Sequence, residues 1–108
     1  MTANASPTLA EKIVYLSGKI TDCAEYLRYF EQAREEALKL GARQVFNPAD
    51  FPLGWQYDHY MEHCMILVRR ADVVLALANA HDSKGAQAEI SYAKSLGKPI
   101  LNLESRAA

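Results

Sequence analysis

The stretch VVLALANAHDSKGAQAE, residues 73–89, decides the fold of this chain. Its apolar residues 73–78 predict a strand buried on both faces, followed by a short polar loop and a helix. The inward stripe of that helix is expected at Ala86, Ile90, Ala93 and Gly97. Glu89 falls between members of the stripe, so its carboxylate is directed toward the sheet edge. An acid there must be paired, hydrogen-bonded or functional, and the alternative is a buried capping or packing role.

Strands and amphipathic helices alternate along the rest of the chain. The predicted strands are residues 12–17, 43–46, 72–78 and 100–103. The predicted helices are residues 25–40, 57–70 and 84–96. This alternation predicts a three-layer α/β/α domain with a four-stranded parallel sheet, flavodoxin-like or Rossmann-like, in strand order 2-1-3-4. The domain is expected over residues 12–104, between a flexible N-terminal tail of residues 1–11 and a C-terminal tail of residues 105–108.

Composition fits one domain of 108 residues with 23% charged residues and a formal net charge of −1. This charge argues against a nucleic-acid polymer or an anionic membrane as partner, and no apolar run approaches the roughly 18 residues of a membrane span. The N-terminus does not read as a signal peptide, and Cys23 and Cys64 are expected to be reduced thiols, so we expect a cytoplasmic protein. His59 and His63 lack the glutamate of a zinc-binding helix, and neither a metal nor a cofactor is expected.

Ligands of such sheets bind beyond the carboxyl ends of the strands, where the first and third strands lie side by side. Two groups of residues meet at that edge: Tyr15, Ser17, Gly18 and Lys19 from one loop, and Asn79, Asp82, Ser83 and Gly85 from the other. Each loop holds a small hydroxyl residue, a glycine and a lysine, and backbone N–H groups at the start of the third helix could receive a phosphate. The alternative is that the two glycines only permit tight turns.

Five segments carry a resemblance to a known family: Tyr15-Leu16-Ser17-Gly18-Lys19-Ile20, Asn47-Pro48-Ala49, Trp55 with Tyr60-Met61, Ala71-Asp72-Val73-Val74, and Ser83-Lys84-Gly85-Ala86-Gln87-Ala88-Glu89. Together they resemble the nucleoside 2-deoxyribosyltransferase superfamily, above all its small phage and bacterial members and next the 2′-deoxynucleoside 5′-monophosphate N-hydrolases. The resemblance covers roughly residues 13–103. It implies cleavage of an N-glycosidic bond or transfer of a deoxyribosyl group, with a small nucleoside or nucleotide as partner.

The resemblance also implies roles for individual residues. Glu89 matches the glutamate that attacks the anomeric carbon in the transferases or assists hydrolysis there, and Tyr15 matches a tyrosine beside that carboxylate. Ser83 matches the serine that holds the 5′-phosphate in the hydrolases, where transferases acting on unphosphorylated nucleosides have an aspartate. The segment from Ser17 through Gly18 to Lys19 matches the loop around the sugar and phosphate.

One departure concerns the acid that helps to protonate the leaving base. The superfamily usually has an aspartate eight residues before the aspartate that opens the third strand, and here Cys64 stands eight residues before Asp72. A thiol is a poor substitute, because glycosidases commonly work with two carboxyl groups. The candidate substitutes for the proton donor are Asp58, His59, His81 and Asp82.

Aromatic residues cluster around the start of the second helix, namely Trp55, Tyr57 and Tyr60. One of them could stack on a base, or they could cover the sheet edge or an oligomer interface. Full transferases continue past the fourth strand and close their sites with a neighbouring subunit, so we expect a homodimer or a larger assembly. The alternatives to an enzyme are a non-catalytic nucleotide-binding module and a homo-oligomeric structural protein with a degenerate pocket.

Overall fold

The computed structural model describes residues 9–52 and 54–103. The strands are β1 (Ile13–Ser17), β2 (Gln44–Phe46), β3 (Val73–Ala76) and β4 (Ile100–Asn102). The helices are α1 (Tyr26–Lys39), α2 (Tyr57–Arg70) and α3 (Lys84–Ser95), with 3₁₀ turns at Pro48–Asp50 and Ala80–Asp82. The expectations for residues 1–8 and 104–108 lie outside the described residues.

The sheet is parallel throughout, in the order β2-β1-β3-β4, as the alternation of elements predicts. Ser17 pairs with Ala76 at the carboxyl ends of the two central strands. The chain therefore leaves the sheet at this point into two neighbouring loops. This is the strand-order reversal at which open α/β sheets form their binding crevices.

Helices cover both faces of the sheet, which confirms the three layers. On one face Phe30, Ala33 and Ala37 of α1 pack against side chains of β1 and β3. On the other face Cys64 and Val68 of α2 pack with further β1 and β3 side chains and with α3. All four residues of β3 are buried, in agreement with its apolar sequence. The alternating side chains of β1 point to opposite faces, so Tyr15 and Ser17 share the α2/α3 side with Glu89.

Two local features differ from the sequence expectations. Regular pairing in β3 ends at Ala76, two residues earlier than predicted, because the chain turns into the 3₁₀ turn at Ala80–Asp82. Gly97 does not continue the inward stripe of α3: it is exposed and has a φ of 76°, a conformation that stops the helix.

The core begins before the predicted domain boundary. Leu9, assigned to the tail from sequence, is only 1% exposed and packs with the α1 side of the core. The backbone N–H of Glu11 donates to the Gly41 carbonyl, which ties this segment to the loop after α1. Among the described residues, none of the helices is both long enough and apolar enough to cross a membrane.

Candidate active site at the carboxyl edge of the sheet

Glu89 is a buried acid in the wall of a cavity. It lies on the second turn of α3 and is 3% exposed. Ser17, the last residue of β1, donates a 2.7 Å hydrogen bond from its hydroxyl to Glu89 Oε1. The bond joins residues 72 positions apart in sequence, so it exists only when β1 and α3 have packed together. The bond fixes Oε1. For Oε2, no hydrogen bond of good geometry to any of the described residues is found.

Burial sets the protonation of Glu89. Loss of contact with water raises the pKa of its carboxyl from 4.5 to about 7, while the hydrogen bond from Ser17 and the neighbouring groups of Tyr15 and Cys64 lower it. The carboxyl group therefore exchanges its proton near neutral pH. That is the range in which a side chain works best as a general base or an activated nucleophile.

Three further protic side chains surround Glu89, and all of them hold their protons. Tyr15 is fully buried, and burial followed by the charge of Glu89 raises the pKa of its hydroxyl. Its hydroxyl oxygen makes no hydrogen bond of good geometry to any described residue. Burial likewise raises the pKa of the Cys64 thiol to about 12 and that of the Tyr60 hydroxyl well above its usual range. Glu89 is thus the readily ionised member of a neutral cluster.

The cavity has a volume of about 330 Å³ and is lined by three elements. The loop after β1 supplies Gly18, Lys19, Ile20, Thr21 and Asp22. The first turns of α2 supply Tyr57, Tyr60 and Met61. The turn before α3 and its first turns supply Asp82, Ser83, Lys84, Gly85, Ala86 and Glu89. Glu89 is the buried acid of this set, while the other charged side chains lie around the mouth.

Two contacts join the loops that follow β1 and β3. The backbone N–H of Lys19 donates to Asn79 Oδ1 at 3.1 Å, and Lys19 Nζ lies 2.6 Å from Asp82 Oδ2. The ion pair raises the pKa of Lys19 and lowers that of Asp82. Both side chains are at the surface, so water and salt screen the pair. The one lysine of this loop is therefore partnered by an acid.

The start of α3 forms the floor of the cavity. Ser83 caps the helix, and its hydroxyl oxygen accepts from the Ala86 N–H at 3.1 Å. The same hydroxyl group borders the cavity. A methyl group at Gly85 would lie 3.4 Å from Met61 Sδ and 3.5 Å from Tyr57 Oη, so α2 packs closely over this helix start. Gly85 keeps its backbone accessible from the cavity.

Five of the predicted site residues are not part of the cavity wall: Tyr15 and Ser17, which are buried beside Glu89, and the three residues Trp55, Asp58 and His81. Trp55 stacks on the His59 ring at a centroid distance of 4.4 Å, in an aromatic cluster with Phe51 and His63. Asp58 is exposed and accepts from the N–H of the next residue. His81 is exposed, with its ring Nδ1 3.1 Å from the Ala78 carbonyl oxygen. Tyr57 and Tyr60, named with Trp55 as possible base platforms, do line the cavity.

Six wall residues are not among the predicted site residues, namely Ile20, Thr21, Asp22, Met61, Lys84 and Ala86. Met61 belongs to a stripe with Tyr57, Tyr60 and Cys64, at the i, i+3, i+4, i+7 spacing that marks one helix face, so the pattern could have identified it. Asp22 has no such signal. It reaches the mouth because the loop after β1 turns through a φ of 60° there, a local conformation that an aspartate tolerates.

The fold has a counterpart among solved structures. The chain superposes on the 2-desoxiribosyltransferase from Leishmania mexicana with a TM-score of 0.65 at 23% sequence identity, over 88% of this chain and 65% of that chain. At this identity the likeness shows the fold, and it agrees with the architecture that the resemblance implied. The described chain spans 65% of the length of that protein. No curated protein matches the sequence.

A family model covers nearly the whole domain. It carries the description "Domain of unknown function (DUF4406)" and matches residues 12–102, which include every wall residue of the cavity. The chain therefore belongs to the family described as Domain of unknown function (DUF4406).

Proposed function

We propose that this protein cleaves the N-glycosidic bond of a nucleoside or deoxynucleoside 5′-monophosphate, by hydrolysis or by deoxyribosyl transfer, with Glu89 as nucleophile or general base. The observation that carries the proposal is the position of Glu89, a buried acid in the cavity wall, oriented by Ser17. A structural acid would be expected to find several partners or a counter-ion when buried. The pKa of about 7 instead keeps a reactive carboxylate available at neutral pH.

The chemistry follows from the surroundings of the carboxylate. As the glycosidic bond breaks, positive charge develops on the sugar, and the buried, anionic Glu89 stabilises it at short range. Ser17 holds Oε1, so Oε2 is the oxygen that can bond to the anomeric carbon or take a proton from water. Tyr15 packs beside the carboxylate and limits its rotation.

The start of α3 is the proposed phosphate position. Backbone N–H groups of the first helical turn, the hydroxyl of Ser83 and the positive end of the helix all favour an anion there. Lys19 and Lys84 border the same part of the cavity. Tyr57 and Tyr60 stand on the opposite wall, where their rings offer flat faces for the base.

Product analysis tests this proposal. Purified protein is incubated with a panel of ribo- and deoxyribonucleoside 5′-monophosphates, and released base is measured by chromatography. Glu89→Ala should abolish release, because a nucleophile acts on the transition state. Glu62→Ala, which changes an exposed acid of α2, is the matched control and should behave as the wild type. Full activity in Glu89→Ala would contradict the proposed role.

A nucleotide-binding module without turnover is the second candidate. It is favoured by Cys64, whose thiol stays protonated and neutral beside Glu89 in the position where the superfamily usually has an acid. In that case nucleotides should raise the melting temperature of the protein while no base is released. Binding should still depend on Ser83 and on the backbone at Gly85.

We also propose that the site is completed in a homodimer or a larger assembly. Tyr57 borders the cavity although it is 59% exposed, so a neighbouring subunit could cover it. Light scattering at micromolar concentration should then give at least twice the 12.0 kDa mass of one chain. A monomeric mass at that concentration would contradict this proposal.

A further inference from the structure

The described cavity wall has one buried carboxyl group. Cleavage of an ordinary nucleotide needs two catalytic groups, one that protonates the departing base and one that acts at the sugar carbon. A neutral base leaves as an anion unless a proton reaches it, while the sugar carbon needs a nucleophile or an activated water. Glu89 can supply the second function only when it is ionised. It then has no proton to give to the base.

The other acids of the described wall are not suited to protonate a base. Asp22 and Asp82 lie exposed at the mouth of the cavity, whereas Glu89 is buried in its wall. The ion pair with Lys19 at 2.6 Å lowers the pKa of Asp82, so this carboxyl group holds a proton weakly. Neither aspartate is therefore a buried acid beside Glu89.

The protic groups deeper in the site are weak acids. Burial raises the pKa of the Cys64 thiol to about 12, and that of the Tyr60 hydroxyl still further above its ordinary value. Both can donate a hydrogen bond, but neither releases its proton readily at neutral pH. The described cavity wall therefore provides a nucleophile or general base, Glu89, but no strong general acid.

The walls of the cavity suit a positively charged ring. Tyr57 and Tyr60 present aromatic side chains, whose faces attract cations when they are shielded from water. Met61 adds a polarisable sulfur to the same wall. Glu89 adds a buried carboxylate from α3, while Lys19, Lys84 and Asp82 lie at the mouth, where Lys19 and Asp82 neutralise each other.

We propose, building on the proposed function, that the preferred substrates are nucleotides whose base carries a fixed positive charge, such as N7-alkylpurine or pyridinium N-glycosides. The C1′–N bond breaks, its electron pair passes to the ring nitrogen, and the positive charge of the ring is cancelled. The base then leaves neutral without receiving a proton. Glu89 bonds to C1′ or activates water there. Water yields the free sugar phosphate and one released proton, and Glu89 returns to its carboxylate form.

The test compares matched substrates on the same wild-type protein. 7-Methylguanosine 5′-monophosphate is paired with guanosine 5′-monophosphate, each also in its 2′-deoxy form, and nicotinamide mononucleotide represents the pyridinium class. Each rate of base release is measured as kcat/KM, which retains the difference in leaving ability between the two bases. A positioned general acid would offset about 10²–10⁴-fold of the poorer leaving ability of guanine, so without one the methylated member of a pair should have a kcat/KM at least 10²-fold greater. The pyridinium arm shows which charged ring the pocket takes.

Cys64→Asp provides the second measurement. A carboxyl group at this position would lie beside Glu89 and would supply the missing proton, so the advantage of the charged base should shrink by 10-fold or more. Equal kcat/KM values for guanine and 7-methylguanine nucleotides in the wild type would overturn this inference and leave the proposed function intact. Release of base from none of the compounds would overturn both.

Discussion

The Ser17 hydroxyl donates a 2.7 Å hydrogen bond to Glu89 Oε1, and this bond links the last residue of β1 to the second turn of α3. Within the described residues, this is the one side-chain hydrogen bond of good geometry that Glu89 makes. Because the pair is buried, the bond is formed without competition from water. Ser17 therefore controls both the orientation of the carboxylate and the pH at which it ionises.

Ser17→Ala should move the acid limb of the pH–rate profile upward. The hydrogen bond lowers the pKa of Glu89, which burial has already raised to about 7, so its removal lets the pKa rise further. A hydrogen bond to a charged group contributes about 1.5–3 kcal/mol, which corresponds to a shift of about one to two pH units. The check is kcat/KM measured from pH 5 to 9.

The matched control is Ser91→Ala, which removes an exposed hydroxyl two residues from Glu89 on the same helix. Its profile should overlay that of the wild type. An unchanged limb in Ser17→Ala would mean that a group other than Glu89 sets the pH dependence.

The sequence alone predicts that Glu89 faces inward, because its position relative to Ala86 and Ala93 places it on the buried side of α3. It also brings Ser17 to the same sheet edge, since strand order follows from the alternation of elements. It does not predict that the two residues bond to each other. That contact depends on the relative placement of β1 and α3, which is set by packing across the sheet.

Glu89→Gln should stabilise the protein at high pH. The folded state holds the pKa of Glu89 at about 7, above the usual 4.5, so the folded state binds the proton more tightly than the unfolded chain. Stability from this group is present below pH 4.5 and is lost as the pH rises through 7. The loss corresponds to about 3 kcal/mol, which an uncharged glutamine avoids. Urea unfolding at pH 5 and pH 8 measures it.

For this measurement Glu62→Gln is the control, because Glu62 lies exposed on α2. Its free energy of unfolding should follow that of the wild type at both pH values. If Glu89→Gln and the wild type lose stability equally between pH 5 and pH 8, the burial of an ionisable Glu89 does not destabilise the fold.

Gly18→Ala should destabilise the fold, because the glycine lies against Leu77, the residue that follows β3. A methyl group there would lie 2.9 Å from both Cβ and Cδ2 of Leu77, closer than side chains pack. Overpacking of this kind costs about 1–3 kcal/mol, and for a domain of this size the melting temperature should fall by at least about 4 °C. Thermal unfolding followed by circular dichroism measures the fall.

Gly85→Ala is the contrasting variant. The added methyl group would meet Met61 Sδ and Tyr57 Oη at ordinary contact distances, so the fold should tolerate it. Alanine is also favoured over glycine in a helix by about 0.5–1 kcal/mol. We expect a melting temperature equal to or above that of the wild type, with a raised KM because the methyl group narrows the cavity. A loss of stability equal to that of Gly18→Ala would contradict this distinction.

Gly18 and Gly85 show a limit of prediction from sequence. Both lie in or beside loops that the sequence pattern identifies, and the pattern is also compatible with glycines that only permit tight turns. Gly18 and Gly85 in fact have no positive φ, and what requires Gly18 to be small is Leu77, a residue of the neighbouring loop. A close approach between segments so far apart in sequence leaves no local signature. Trp55 is different, because its partner His59 lies only four residues further along the chain, and the two rings stack on each other rather than line the cavity.

Asp82→Asn should improve binding of the phosphate group. In the described structure Lys19 is paired with Asp82 at 2.6 Å, so a phosphate must compete with that carboxylate for the lysine. Removing the charge of Asp82 releases Lys19, and the KM for a nucleoside 5′-monophosphate should fall several-fold while that for the nucleoside stays the same. Salt should reduce the gain, because the pair is at the surface.

Asp50→Asn, which changes an exposed acid of the Pro48–Asp50 turn, controls for a simple change of net charge. It should leave both KM values unaltered. An equal fall in KM for nucleoside and monophosphate in Asp82→Asn would show that Lys19 does not select the phosphate.

Cys64→Asp should raise turnover of nucleotides with neutral bases at a cost in stability. Cys64 is fully buried beside Glu89, and two carboxyl groups in one apolar site cannot both ionise easily, so one of them holds a proton at neutral pH. That proton is what a departing neutral base lacks, and the gain should approach the roughly 10²–10⁴-fold of a positioned general acid.

The variant should be more stable at pH 5 than at pH 8, because raised carboxyl pKa values favour the folded state only while the groups are protonated. Cys64→Ser, which is similar in size and carries no acid, is the control: it should show no gain in turnover, and its loss of stability between pH 5 and pH 8 should match that of the wild type rather than exceed it. A gain of the same size in Cys64→Ser would show that the thiol obstructs the site rather than replacing a missing acid.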